Sequence, residues 1–331
     1  MNDPAPDKLR EKVSALPREI EPSRDLWPEI RDKVERAAFN APSGETRHRN
    51  RGILLRVALP LAVAAAVAFA VFLVWPRSAP SGPGWTVAPL AGTPRIGDTA
   101  LTGVGQWHAG QWLETDSQSR ARLDVGSIGE VELEPNSRLR LVNASETDHR
   151  LRLARGTMSA FIWAPPRLFF VETPSATAVD LGCAYTLTVD DNGAGVLHVT
   201  SGYVALEHGD RESIIPAGLM CVTRPDAGPG IPFAADASAE FRAALDRFDV
   251  EPGQREAALD LLLAQAGEAD RVTLWHLLAR APAAQRGAVF DSLAKYAPPP
   301  TGVTREGLIS GDAAMRDRWA FDLGLVPTGM N

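Results

Sequence analysis

Six histidines, two cysteines and one row of glutamates are the residues here whose types suit acid–base, redox or metal chemistry. His48, His108, His149, His198, His208 and His276 are scattered, and no H-x-x-x-H pair sets two imidazoles on one helix face. Glu130, Glu132 and Glu134 alternate, which puts them on one face of a strand, where paired carboxylates could serve acid–base chemistry or hold a cation. A solvated strand face is the simpler account. Gly103-Val104-Gly105 follows no strand-to-helix pattern, so it does not read as a phosphate loop, and G-x-S-x-G does not occur. No catalytic constellation emerges. The expectation is a protein without enzymatic activity, metal or cofactor.

Cys183 and Cys221 stand about 38 residues apart. A disulfide between them would contribute on the order of 3–4 kcal/mol by closing that loop, and two buried free thiols are the alternative. Without histidines at ligand spacing they make no zinc site. Trp107, Trp112, Phe161 and Trp163 could line a groove for a glycan or a peptide, or fill a core. Trp275, at helical spacing from Leu278, reads as packing.

The elements that must position these residues divide the 331-residue chain sharply. Val57 to Trp75 contains no charged residue and is almost wholly apolar. At about 1.5 Å per residue such a helix nearly matches a bilayer's hydrocarbon core, so 53–75 reads as a transmembrane helix in contact with lipid. Arg47, Arg49, Arg51 and Arg56 precede it and only Arg77 closely follows. That asymmetry puts 1–52 in the cytoplasm and the bulk beyond the membrane, in the periplasm of a bacterial inner-membrane protein. A cleaved signal peptide is the rival reading, which some fifty preceding polar residues oppose.

Within 1–52, an amphipathic helix is expected at about 24–38, with Leu26, Trp27, Ile30 and Val34 forming its apolar stripe. So short a helix needs a partner in water. The stripe either docks on a cytoplasmic protein or rests on the membrane or on Leu9, Val13 and Leu16. After a Pro/Gly/Ser linker at 76–84 the texture becomes short alternating runs between turn residues, which predicts an all-β domain over 85–233. LRLARGTMSAF (151–161) and LHVTSGYVALE (197–207) superimpose, each with two strands meeting at a glycine, Gly156 and Gly202. Stacked strands in a solenoid or a flattened double sheet fit this, and so does a β-sandwich. From 236 to 331 the period turns helical: segments at 239–248, 252–266, 269–281, 283–297 and 313–325 suit antiparallel pairs, with 296–307 an irregular strap. The net charge of −7 argues against direct nucleic-acid binding.

The β segment also carries an ordered set of short motifs: Gly97-Asp98, then Leu153 with Gly156 and Met158, then Val171-Glu172-Thr173-Pro174. Gly182 with Tyr185, Val199 with Gly202 and Val204, and Pro216-Ala217-Gly218 complete it. With a charged N-terminal piece and one span ahead of it, this order resembles the FecR family of single-span sensor regulators. The resemblance covers roughly 90–225. It implies a cytoplasmic segment that binds an extracytoplasmic-function sigma factor and a periplasmic domain that receives a signal, often from an outer-membrane partner. Cys183 stands where the family usually has Thr, and with Cys221 it would suit a subgroup that fixes that turn by a disulfide. The segment before the span has no cysteine and is no zinc-type anti-sigma domain, and the helices after Ala235 lie outside the family's common domain. A membrane-anchored periplasmic binding or scaffold protein, holding an envelope protein or glycan through the β domain, is the alternative function.

Overall fold

A computed structural model describes residues 84–325. The amphipathic helix expected at 24–38, with Leu26, Trp27, Ile30 and Val34, and the span expected at 53–75 lie outside the described residues. Among the described residues no helix is long and apolar enough to cross a membrane.

The chain begins with β1 (Gly84–Ala91), the short β2 (Arg95–Ile96) and β3 (Thr99–Ala100), β4 (Gly105–His108) and β5 (Trp112–Glu114). β6 (Arg120–Asp124), β7 (Gly129–Leu133), β8 (Arg138–Ser145) and the long β9 (Asp148–Ile162) follow. Then come β10 (Phe169–Glu172), β11 (Thr177–Asp180), β12 (Cys183–Val189), β13 (Gly195–Ser201) and β14 (Tyr203–His208). β15 (Arg211–Pro216), β16 (Leu219–Arg224) and two short pieces, β17 (Gly228–Pro229) and β18 (Phe233–Ala234), complete the strands.

Two sheets share one core. The first runs β4–β1–β6–β7–β9–β12–β13–β16, and β17 and β18 both pair with β16. The second runs β3–β2–β5–β8–β9–β10–β11–β14–β15. β9 belongs to both: its first half pairs with β8 and β10, its second half with β7 and β12. Strict alternation of apolar and polar residues makes this layout pay, because Leu139, Leu141, Leu151 and Leu153 all point inward and are fully buried. Each such side chain contributes on the order of 2 kcal/mol.

The chain changes sheet at the two glycines that the internal similarity singled out. Gly156 sits at φ +90° and Gly202 at φ +68°. A Cβ on Gly156 would collide with Ser137, and one on Gly202 with the carbonyl of Gly182. The two crossings run in opposite senses: β9 leaves the second sheet for the first, while β13 to β14 leaves the first for the second. This overturns the solenoid expectation. A solenoid stacks parallel strands coil on coil, whereas every pairing here is antiparallel except β9 with β10.

Helices follow the large β-sheet domain: α1 (Ala239–Val250), α2 (Arg255–Gln265), α3 (Arg271–Arg280), α4 (Arg286–Tyr296), α5 (Arg305–Ser310) and α6 (Ala313–Asp322). The strap expected at 296–307 is shorter than the sequence suggested, because Thr304 caps α5 by accepting the amide hydrogen of Gly307 at 3.1 Å. Ser238 caps α1 and Asp312 caps α6 in the same way. Phe248, Leu262, Leu277, Leu293 and Trp319 form the helical core, which also takes in Ile231 and Phe233 and rests on Met220 and Val222 of β16. The helices therefore cover part of the first sheet's outer face.

Candidate functional site

Three charged residues from three elements meet where the helices join the strands. Asp249, near the end of α1, has a side chain only 7% exposed. Its carboxylate accepts from Arg211 Nη2 of β15 at 2.5 Å and from the backbone N–H of Ile231 at 3.1 Å, and Arg280 Nη1 of α3 lies at 3.6 Å. Arg280 also donates to Ser213 Oγ at 2.7 Å and to the carbonyl of Glu212 at 3.2 Å. Two arginines thus clamp one carboxylate, and each is held further by the strand or the loop beside it. Such charge-assisted bonds are strong when mutually satisfied, and removing one member strands the others in a dry place.

Neutral hydrogen bonds reinforce the joint. Thr273 Oγ1 donates to the carbonyl of Pro232 at 2.8 Å, and His276 Nε2 donates to the carbonyl of Ile214 at 3.1 Å. Burial, with the nearby Arg280 cation, drives the His276 pKa down to about 3, so the ring stays neutral.

Beside this joint opens a cleft of about 640 Å³, bordered by His208, Arg211, Arg255, Trp275, Arg280 and Arg316. Arg255 donates to the carbonyl of Phe248 and lies 5.4 Å from that ring's centroid. Glu212 also lines it, and burial, followed by repulsion from Glu207, raises its pKa. Mechanically, the joint fastens α1 and α3 to β15. Chemically, the cleft offers guanidinium groups and an indole wall.

The residues that the sequence singled out are dispersed. Cys183 and Cys221 are both buried free thiols, which corrects the disulfide expectation. Cys221 pairs with Leu197, Leu197 pairs with Leu187, and Leu187 stands four positions along β12 from Cys183. Two strand spacings and four residues put the cysteines about 16 Å apart, far beyond the roughly 7 Å that a disulfide tolerates between Cα atoms. Cys183 instead donates to the carboxylate of Asp180, whose other oxygen accepts the amide hydrogen of Gly182 at 2.7 Å. Burial raises Asp180 to about 6. Cys221 donates to the carbonyl of Gly230 at 3.4 Å, and burial pushes its pKa up to about 12.

Glu130, Glu132 and Glu134 are offset in part by the neighbouring strand: Arg120 reaches Glu134 at 2.7 Å, and Arg122 reaches Glu132 at 2.8 Å and Glu130 at 4.0 Å. Trp107 is fully buried core. Phe161 and Trp163 are 53% and 56% exposed and lie edge to face at 5.5 Å, and Trp163 Nε1 donates to the carbonyl of Ser127. Trp112 lies on the outer face of β5, with the Arg138 guanidinium 4.1 Å from its ring centroid. Sequence reasoning missed Arg211, Asp249 and Arg280. Each is an ordinary charged residue on its own element, and only their meeting sets them apart.

Residues 111–205 match the family model described as FecR protein. The chain carries a FecR domain. The match begins at the turn before β5 and ends in β14, so it holds both glycine crossings, Gly156 and Gly202. The joint residues Arg211, Asp249 and Arg280 lie beyond the matched FecR stretch. Two solved structures similar to this chain are of a proposed anti-sigma factor from Parabacteroides distasonis ATCC 8503, at 1.65 Å and 2.50 Å resolution. They are 13% and 12% identical, with a TM-score of 0.33 in each case, covering 41% of this chain. The chain spans 64% of their length, a little under two thirds. No curated protein matches it.

Proposed function

We propose that this chain is a FecR-type regulator of a sigma factor, anchored in the inner membrane by residues 53–75. The FecR domain at 111–205 is the observation that carries this reading. Residues 1–52 contact an extracytoplasmic-function sigma factor through Leu26, Trp27, Ile30 and Val34. The FecR domain and its helices meet an envelope signal, and the span passes the change inward. Relay of this kind needs a ligand that binds two states of the protein unequally. The Asp249 joint supports it, since a ligand pressing on α1 or α3 pulls directly on β15. On this reading the protein regulates and does not catalyse.

The test is affinity capture of the full chain from native membranes in mild detergent, wild type beside Leu26→Asp/Trp27→Asp, with bound proteins identified by mass spectrometry. A sigma factor recovered by wild type and lost in the variant supports the regulator. Wild-type capture without a sigma factor turns the reading to an anchored envelope scaffold. That second reading draws on the helices themselves, which lie outside the FecR match and add a separate surface.

A further inference from the structure

The outer face of the second sheet carries a lattice of arginines. Leu139, Leu141, Leu151 and Leu153 point into the core, so Arg138 and Arg140 of β8 and Arg150 and Arg152 of β9 point out. A bulge in the β8–β9 ladder brings Arg155 opposite Arg138, and Arg140 lies directly opposite Arg152. Like charges facing each other across antiparallel strands destabilise a sheet. The fold did not require them. On the first sheet the same strand β9 turns out Thr157 and Ser159, whose hydroxyls pair with Thr188 at 3.0 Å and Thr186 at 3.1 Å.

Nearby carboxylates offset this charge only in part. Glu114 reaches Arg138 at 2.8 Å, Glu172 serves Arg152 at 2.6 Å and Arg150 at 3.5 Å, and Asp148 approaches Arg150 at 3.3 Å. Five arginines against these three leave an excess of two positive charges in a chain of net charge −7. Among the described residues, Arg140 has only the carbonyl of Gly110 as an acceptor, and Arg155 is exposed with no hydrogen-bond or ion-pair partner. Two aromatic rings support the layer from within it: Trp112 under Arg138 and Arg140, and Phe170 under Arg150 at 4.4 Å.

We propose that this face binds an anionic polysaccharide, a chain bearing a carboxylate on each sugar, through Arg138, Arg140, Arg152 and Arg155. Cations on a sheet repeat at about 5 Å across strands and about 7 Å along them, a grid suited to regularly repeated acidic groups. β5, β8, β9 and β10 are all paired on both sides, so no peptide can add itself as a strand here. Arginines cover the aromatic faces that would otherwise anchor a protein side chain. What remains is recognition by charge and guanidinium hydrogen bonds over an open surface.

The full chain, held in non-ionic detergent and immobilised, is titrated with polygalacturonate, with poly-L-glutamate of matched length and with neutral dextran over a range of salt concentrations. Wild type should bind polygalacturonate about tenfold more tightly than polyglutamate and should not bind dextran. Arg140→Gln/Arg155→Gln strands no carboxylate; it should weaken binding about tenfold and flatten the log–log salt slope by about 1.5. Arg242→Gln/Arg318→Gln makes the same charge change on α1 and α6 and should leave binding within about twofold. Absence of polygalacturonate binding by wild type overturns the proposal, as does polyglutamate binding as tightly. Equal losses in the two double variants overturn it as well, since net charge alone would then explain the attraction.

Discussion

His276 of α3 and Ile214 of β15 are joined by one hydrogen bond of 3.1 Å, Nε2–H to carbonyl, between positions 62 apart in sequence. The bond itself would tolerate a charged ring; burial, with the nearby Arg280 cation, is what keeps the folded pKa near 3 against an ordinary value of 6.5. Below pH 6.5 the unfolded chain takes up a proton that the folded chain refuses, so stability falls on acidification from 6.5 toward 3. Moving from pH 6.5 to 5 should cost roughly 2 kcal/mol through this group. His276→Gln keeps a donor for Ile214 and does not titrate. Urea unfolding of both proteins across this range should give a shallower pH dependence in the variant, and identical profiles would refute the assignment.

The Asp249 joint makes a sharper demand. Asp249→Ala leaves Arg211 and Arg280 without their carboxylate and frees the amide of Ile231, a loss of about 3 kcal/mol or more. Arg211→Met/Asp249→Leu/Arg280→Met removes the whole set and should recover part of that loss, since an apolar replacement leaves no charge stranded. Denaturant midpoints of the two variants measure this, and a triple variant weaker than Asp249→Ala would count against it.

At the crossing between sheets, Gly202→Ala should be poorly tolerated. The residue sits at φ +68°, and its Cβ would meet the carbonyl of Gly182. A cost of about 2 kcal/mol or more is expected. Gly209→Ala tests the separate terms, because its φ of +56° imposes the backbone strain with open space around the new methyl. Thermal melts should rank Gly202→Ala well below Gly209→Ala.

The two thiols should be countable. Native protein treated with iodoacetamide and no reductant should stay unmodified, because Cys183 and Cys221 are buried and burial raises both pKa values. Denatured in guanidinium, again without reductant, it should gain two carbamidomethyl groups by mass spectrometry. An unmodified denatured protein would mean a bridge between them.

Alternation and glycine placement in the sequence were enough to determine much of the β part. Leu139, Leu141, Leu151 and Leu153 follow the period of a strand with one dry face, and Gly156 and Gly202 mark where only a residue without Cβ can turn from sheet to sheet. The helical stretches after 236 were legible for a similar reason, since the 3.6-residue period and the caps are local. Long-range pairing is not local. Solenoid and double sheet demand the same alternation, and only the antiparallel register of β9 with β8 and β12 separates them. Cys183 and Cys221 illustrate the same limit, because spacing along a chain carries no information about which strands lie between two residues. Arg211, Asp249 and Arg280 became a site, and Arg140 came to face Arg152, only when tertiary packing removed water and set charges from distant segments side by side.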